Sequence, residues 1–404
     1  MTRRDSRPNP IWRRGRVMAV AALIVAVCAG SASIRSIPSP SMRPMQFLAT
    51  QPALAPHGQS LRTVRIGVFS LFRPRELVVR PDSEPDSGSS LTLKVGNSSM
   101  TLPSSFTAMT VHESNGEVLA QLAGQSQPMR GNSLRILGPG PHAADSTRFW
   151  LEAPGKLRRQ FTGTLEIRTR GQSLEAIVSM PLETAVASVV QAESPPGAGM
   201  EALKAQAVAA RSFLVAREAS HKDFDFCDTT HCQFLRSPPS AVSAAARATQ
   251  ATAGLVLAWH DEARAQDRTL AAMYARSCGG QSRTLKEIGM KGAGYPYYAV
   301  HCSYCTRHPE VWRREAAQGT EPSTEQDRLN FNRIHGWGAI PSIGAGGHES
   351  SAGEEREWMT GRGIGHGIGL CQLGAADMAR HGASFAEILS HYYPNTRLVS
   401  APGA

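Results

Sequence analysis

The sequence predicts a mixed α+β fold, in which a mixed α/β core is preceded by a small β-rich domain. Three observations carry this. Short runs alternating apolar and polar residues recur between residues 61 and 157. An alanine-rich stretch, Met200 to Phe213, then brings Leu203, Ala207, Ala210 and the following Leu214 to one helical face. Strand-like and helix-like segments alternate through the rest of the 404 residues, a length that accommodates two or three domains.

Arg3, Arg4, Arg7, Arg13, Arg14 and Arg16 precede an apolar run from Val17 to Ala29 and small residues through Ser33. That is the order of a secretory signal over residues 1–33, cleaved near Ser31 or Ser33 or retained as an anchor. The run is shorter than the about 20 apolar residues of a membrane span. Val27 stands where a lipoprotein acceptor at Cys28 requires a small residue. Residues 34–60, with Pro38, Pro40, Pro44, Pro52 and Pro56, read as a flexible tether. The chain is therefore expected to be exported, touching a membrane only through an uncleaved N-terminal segment.

From Leu61 the runs Val64–Phe69, Glu76–Val79, Leu91–Val95 and Ser133–Leu137 read as strands, and Gly163–Thr169 alternates most clearly of all. A β-rich domain is expected over residues 61–157, ahead of a second domain over 158–400 whose extent is that of the resemblance given below. The first either positions the second or binds carbohydrate.

Glu193 stands beside Ser194-Pro195-Pro196, which can continue neither a helix nor a central strand, so its carboxylate is expected at an element end near the surface. Catalytic carboxylates occupy such places, and so do ordinary solvated glutamates. After the alanine-rich helix, His221, Cys227, His231 and Cys232 supply two imidazoles and two thiols, the donors borderline-soft zinc takes in tetrahedral sets. His231 and Cys232 are adjacent and could share an ion only from a loop, since strand neighbours point apart. Loss of Cys28 with the signal leaves six of the seven cysteines, an even number that suits disulfides in an exported protein equally well. Cys302 and Cys305, flanked by His301 and His308, form a further metal-like or disulfide-forming pair.

Residues 241–253 read as a helix and Gly254–Trp259 as a strand, with Leu270 to Tyr274 as its expected partner before the Gly279-Gly280 turn. Gly361 to Gly369 carries glycine at every second position without the lysine of a phosphate loop. An extended chain of this kind is bare on one side and presents Arg362, Ile364, His366 and Ile368 on the other, a surface on which a sugar ring could rest. Gln372 to Arg380 reads as a helix stopped by Gly382, and Ser384 as the cap of another. Trp312 to Asp327 is charged and helical in composition. The net charge of +10 is dispersed rather than gathered around stacking aromatics, which disfavours nucleic acid and suits an anionic wall polymer.

Three ordered blocks carry a resemblance. Glu193-Ser194-Pro195 with Glu201-Ala202-Leu203-Lys204-Ala205-Gln206-Ala207-Val208-Ala209-Ala210-Arg211-Ser212-Phe213 is followed by Tyr274-Ala275-Arg276-Ser277-Cys278-Gly279-Gly280. Gly365-His366-Gly367-Ile368-Gly369-Leu370-Cys371-Gln372-Leu373-Gly374-Ala375 comes last, with a closing Tyr392-Tyr393-Pro394. Over about residues 158 to 400 the chain resembles the stage II sporulation protein D (SpoIID) family, which includes the LytB-type amidase enhancers. The resemblance implies a SpoIID-like mixed α/β core and lytic transglycosylase chemistry on peptidoglycan glycan strands, with Glu193 as the catalytic acid and base. It further implies a glycan groove involving Arg211, Tyr274, Ser277, Gly279, Gly280, His366 and Gln372. A structural zinc ion on His221, Cys227, His231 and Cys232 belongs to the same reading, as does the alternative of a non-catalytic protein that stimulates a cell-wall amidase. Ser194 and Ala198 stand where the family commonly has Met or Leu and Trp, which removes apolar cover from Glu193.

Overall fold

The computed structural model describes residues 62–82, 91–103, 105–138, 147–216, 221–289, 294–315, 337–338 and 358–401. The expected signal and tether, residues 1–60, lie outside them. Among the described residues no helix is long and apolar enough to cross a membrane.

The alternating runs form two sheets. One orders its strands Phe226–Cys227, Thr63–Val68, Ser173–Pro181, Thr164–Arg170, Ser133–Leu137, Thr92–Val95 and Ser98–Thr101. The other runs Leu157–Thr162, Arg148–Ala153, Glu76–Pro81, Met109–Ser114, Glu117–Leu122 and Met129–Gly131. Ile66, Leu93, Leu134, Leu165 and Ile167 of the first sheet share one apolar core with Leu77, Val79, Val111, Val118 and Leu151 of the second. The period of two puts every second side chain into this layer.

The expected boundary at 157/158 is thereby corrected. Leu157 pairs with Ala153 in a hairpin, and Ser173–Pro181 pairs along the whole of Thr63–Val68. The strands after residue 157 complete the sheets that begin before it.

Six helices are described: α1 Leu182–Glu193, α2 Met200–Ala216, α3 Ala244–Ala251, α4 Ser303–Arg307, α5 Gln372–Arg380 and α6 Phe385–Tyr392. Helix α2 is the shared wall of two cores. Leu203, Ala207, Ala210 and Leu214 enter the sheet core, while Ala202, Ala205, Val208 and Ala209 enter a second core with Leu257, Ile368, Leu370 and Ile388. A helix covered on both sides needs small side chains so that neighbours approach closely, which accounts for its alanines. Ser384 caps α6 through a capping box with Glu387.

Two local expectations are corrected. The strand Leu255–Asp261 pairs with Gln266–Thr269 and Thr396–Ser400 rather than with Leu270 to Tyr274. Tyr274–Ala275 pairs instead, in parallel, with Leu370–Cys371. Val311–Glu315 is a strand against Trp358–Arg362, not a helix, and residues 316–327 lie outside the described residues.

Candidate functional site

Helix α1 presents Leu182, Ala185, Val186, Val189 and Val190 to the core at helical spacing and ends on Glu193. Ser194 leaves the helix with its N–H on the Val190 carbonyl, and the Pro195–Ala198 turn leads into α2. Glu193 accepts the Phe234 N–H at 2.5 Å and the Tyr274 hydroxyl at 3.4 Å, both on Oε1. Among the described residues nothing bonds to Oε2. Burial pushes the carboxyl up to about 7, against the two donors, which pull it down. Its place at a helix C-terminus, where the backbone carbonyls point, disfavours the ionised form further.

Tyr274 is buried at its hydroxyl, and burial together with Glu193 holds the phenol well above its ordinary value, so it remains a donor. Gln206 of α2 lies beside that phenol and accepts from Gln372 Nε2 at 3.3 Å. Two hydrogen-bonded pairs, Glu193 with Tyr274 and Gln206 with Gln372, thus stand next to each other and draw one residue or more from each of the three blocks. Gln206 was not singled out in the sequence, although a lone amide on the apolar face of an alanine-rich helix was a visible signal. Phe234 acts only through its backbone, which no side-chain pattern discloses.

Phe226–Cys227 adds in parallel to Thr63–Val68, and Asp225 accepts the Arg65 N–H at 2.8 Å. Gly67 leaves room for the Phe224 ring, whose Cζ would stand 2.5 Å from a Cβ there, and His221 stacks on that ring at 4.5 Å. A turn closed by Cys232 N–H on the Thr229 carbonyl brings His231 Nδ1 to 3.7 Å from Cys227 Sγ and 3.5 Å from Cys232 Sγ. His221 Nε2 stands 3.3 Å from Cys232 Sγ, and all four donor atoms lie within 4.8 Å of one another. The turn is what lets adjacent residues face one centre. The hydrogen bond from Cys232 is the main reason the Cys227 thiol is drawn down to about 3. Two sulfurs and two nitrogens so placed could hold one tetrahedral ion.

This segment and Glu193 are joined. Arg159 pairs with Asp228 at 2.9 Å and donates to the Leu235 carbonyl at 2.8 Å, clamping both ends of the stretch that carries Phe234. Burial lowers Arg159 and raises Asp228, but each offsets the other as a pair held out of water.

Other expected groove residues are placed differently. Arg211 is fully buried, bonds to both Glu183 oxygens at 2.7 and 2.6 Å and donates to the carbonyls of Leu255 and Thr249. It is a structural tie and not a groove residue. Ser277 is 1% exposed with Oγ 3.4 Å from Cys305 Sγ, and Gln372 is 4% exposed, so neither lies on a surface. Gly279 and Gly280 are half-buried in left-handed conformation. His366 is half-buried, its Nδ1 accepting the Ile368 N–H of its own loop. That loop is not an extended platform: Gly363, Gly365, Gly367 and Gly369 have φ of 83, 91, 69 and 65°. A Cβ at Gly363 would stand 2.7 Å from the Ser277 carbonyl oxygen, and one at Gly369 would overlap that of Met273. The glycines allow one backbone to press on another.

Residues 170–259 match the family described as Stage II sporulation protein, SpoIID. Over that span the chain is similar to SpoIID. It is 24% identical over 281 residues to Stage II sporulation protein D of Bacillus subtilis, covering 58% of this chain and 78% of the relative. An uncharacterized protein of Brachyspira hyodysenteriae is 24% identical over 274 residues, 59% of this chain and 72% of that one. The Amidase enhancer of Bacillus subtilis is 50% identical over 42 residues, 10% of this chain and 6% of the relative. The span matched to SpoIID contains Glu193, Gln206 and the four His and Cys donors; Tyr274, the glycine loop and Gln372 lie beyond it.

Proposed function

We propose that this SpoIID-like chain is an exported peptidoglycan-acting protein that cleaves glycan strands by lytic transglycosylation. The observation that supports it most is the state of Glu193: a carboxyl held near pKa 7 by burial, bonded on Oε1 and open on Oε2. Such a group is half protonated at neutral pH and can serve as acid and then as base. Oε2 gives its proton to the glycosidic oxygen as the C1–O bond breaks. The C6 hydroxyl of N-acetylmuramic acid then attacks C1 and returns its proton to Glu193, closing a 1,6-anhydro ring. One carboxyl completes the cycle, unlike hydrolysis by a carboxyl pair. Tyr274 steadies Oε1, and Gln206 and Gln372 steady Tyr274.

The residues His221, Cys227, His231 and Cys232 fit zinc by donor type and spacing. A bound ion would supply four-coordinate structural bonding, fixing the turn that leads to Phe234 and its N–H on Glu193.

Purified glycan strands, denuded and peptide-bearing, digested by the wild-type chain should yield fragments ending in 1,6-anhydro-N-acetylmuramic acid. Glu193→Gln should lower the yield at least about 100-fold, the scale of a lost general acid. The short, closer likeness to an amidase enhancer favours a second reading, a wall-binding protein that stimulates an N-acetylmuramoyl-L-alanine amidase. Binding without cleavage by wild type and Glu193→Gln alike would select that reading.

A further inference from the structure

Four cysteines from three separate stretches converge on one buried point. Cys278 follows the strand Tyr274–Ala275, Cys302 and Cys305 begin and lie within α4, and Cys371 is the N-cap of α5. All four are buried, and their sulfurs lie within 4.8 Å of one another, with Cys305 and Cys371 at 3.4 Å. Zinc–sulfur bonds of about 2.3 Å place the corners of a tetrahedron about 3.8 Å apart. The observed cage has that scale. An iron–sulfur cluster, whose cysteines bind different irons, needs a wider one.

The surroundings suit thiolates. The Tyr392 hydroxyl donates to Cys302 Sγ at 3.4 Å, the Gly374 N–H donates to Cys371 Sγ at 3.4 Å, and Ser277 Oγ stands 3.4 Å from Cys305 Sγ. Donors of this kind spread the charge that four thiolates leave on a divalent ion, and the N-terminus of α5 opposes it further. Gly374 is itself required by the cage, since a Cβ there would overlap the Tyr392 hydroxyl and stand 2.6 Å from Cys302 Sγ. These contacts give a role to a buried serine and a buried tyrosine that the reaction at Glu193 leaves without one.

We propose that Cys278, Cys302, Cys305 and Cys371 form a tetrathiolate zinc site, separate from the His and Cys set at 221–232. With four protein ligands it is closed and structural. It binds the stretch carrying Tyr274 to the helix that begins at Gln372, so the partners of Glu193 are held by an ion that never meets substrate.

The test is zinc content and thiol state of the full chain purified without chelator. The chain is compared with the Cys302→Ser/Cys305→Ser and Cys227→Ser/Cys232→Ser variants. We expect one zinc equivalent to disappear with Cys302→Ser/Cys305→Ser and to persist in Cys227→Ser/Cys232→Ser. Cobalt(II) loaded into the latter should show the charge-transfer absorption of four thiolates. Zinc lost only with Cys227→Ser/Cys232→Ser would overturn the site. So would an unreduced wild-type mass that is lower by the hydrogens of disulfides mapped to these four cysteines. That mass needs no variant, so the proposal remains open to refutation even where the serine substitutions prevent folding.

Discussion

Glu193 is a carboxyl whose protonation and burial are one property. Its folded value of about 7 lies above the ordinary carboxylate range, so below about pH 4.5 it is neutral in both folded and unfolded chains and costs nothing. Between there and pH 7 the unfolded chain ionises first, and stability falls as pH rises. Measured by denaturant unfolding, Glu193→Gln should gain on wild type across this interval, reaching roughly 3 kcal/mol by pH 8. A difference independent of pH would contradict the buried carboxyl. With serine at 194 and alanine at 198 the carboxyl is still buried, and its hydrogen bonds come from the Phe234 N–H and the Tyr274 hydroxyl, distant in the chain. The loss of cover expected from Ser194 and Ala198 is therefore not seen in the burial of Glu193.

At the scale of elements, two ties deserve substitution. Arg211 joins α1, through Glu183, to the end of α3 at Thr249 and to Leu255 of the adjoining strand. Arg211→Met removes a buried charge but strands those acceptors, and should cost about 3 to 5 kcal/mol in chemical denaturation. A loss below about 1 kcal/mol would contradict the structural tie. Gly369 adopts φ 65° with its α-carbon against the Met273 carbonyl, one residue before Tyr274. Gly369→Ala should cost roughly 2–4 kcal/mol from strain and overlap, and should reduce cleavage by moving Tyr274. Thermal unfolding and strand digestion on the same samples would separate the two effects. The glycine alternation was conspicuous in the sequence, but its meaning was not. Period two suggested a strand with one bare side, whereas positive φ at alternate residues makes a chain that nestles on its neighbour.

Across the whole molecule, local pattern was readable and distant pairing was not. Alternation located Thr63–Val68 and Thr164–Arg170, helical spacing located α2, and proline marked an element end at Glu193 without disclosing that the element is a helix. Helix α1 escaped because Leu182 follows directly on the buried strand Ser173–Pro181, with no loop between them to mark the change of period. The union of Cys278 and Cys371 with Cys302 and Cys305 escaped for another reason. Their meeting depends on parallel pairing of Tyr274–Ala275 with Leu370–Cys371, across about 95 residues that spacing cannot bridge. Arg211 was misread because an arginine inside a matched block looks like recognition until its burial is known.

The sheet order has a further consequence for the birth of the protein. Thr63–Val68 emerges early from the ribosome, yet its two neighbours are Ser173–Pro181 and Phe226–Cys227. The second core waits longer still, because Leu255–Asp261 takes Thr396–Ser400 as a partner strand. An apolar strand left without hydrogen-bond partners over such an interval is an invitation to aggregation. If the chain crosses a membrane as an unfolded thread during synthesis, it does so while neither core can close. Its passage therefore favours a threaded, chaperoned chain, and the moment of folding is set by arrival of the last strand rather than by the first residues to appear.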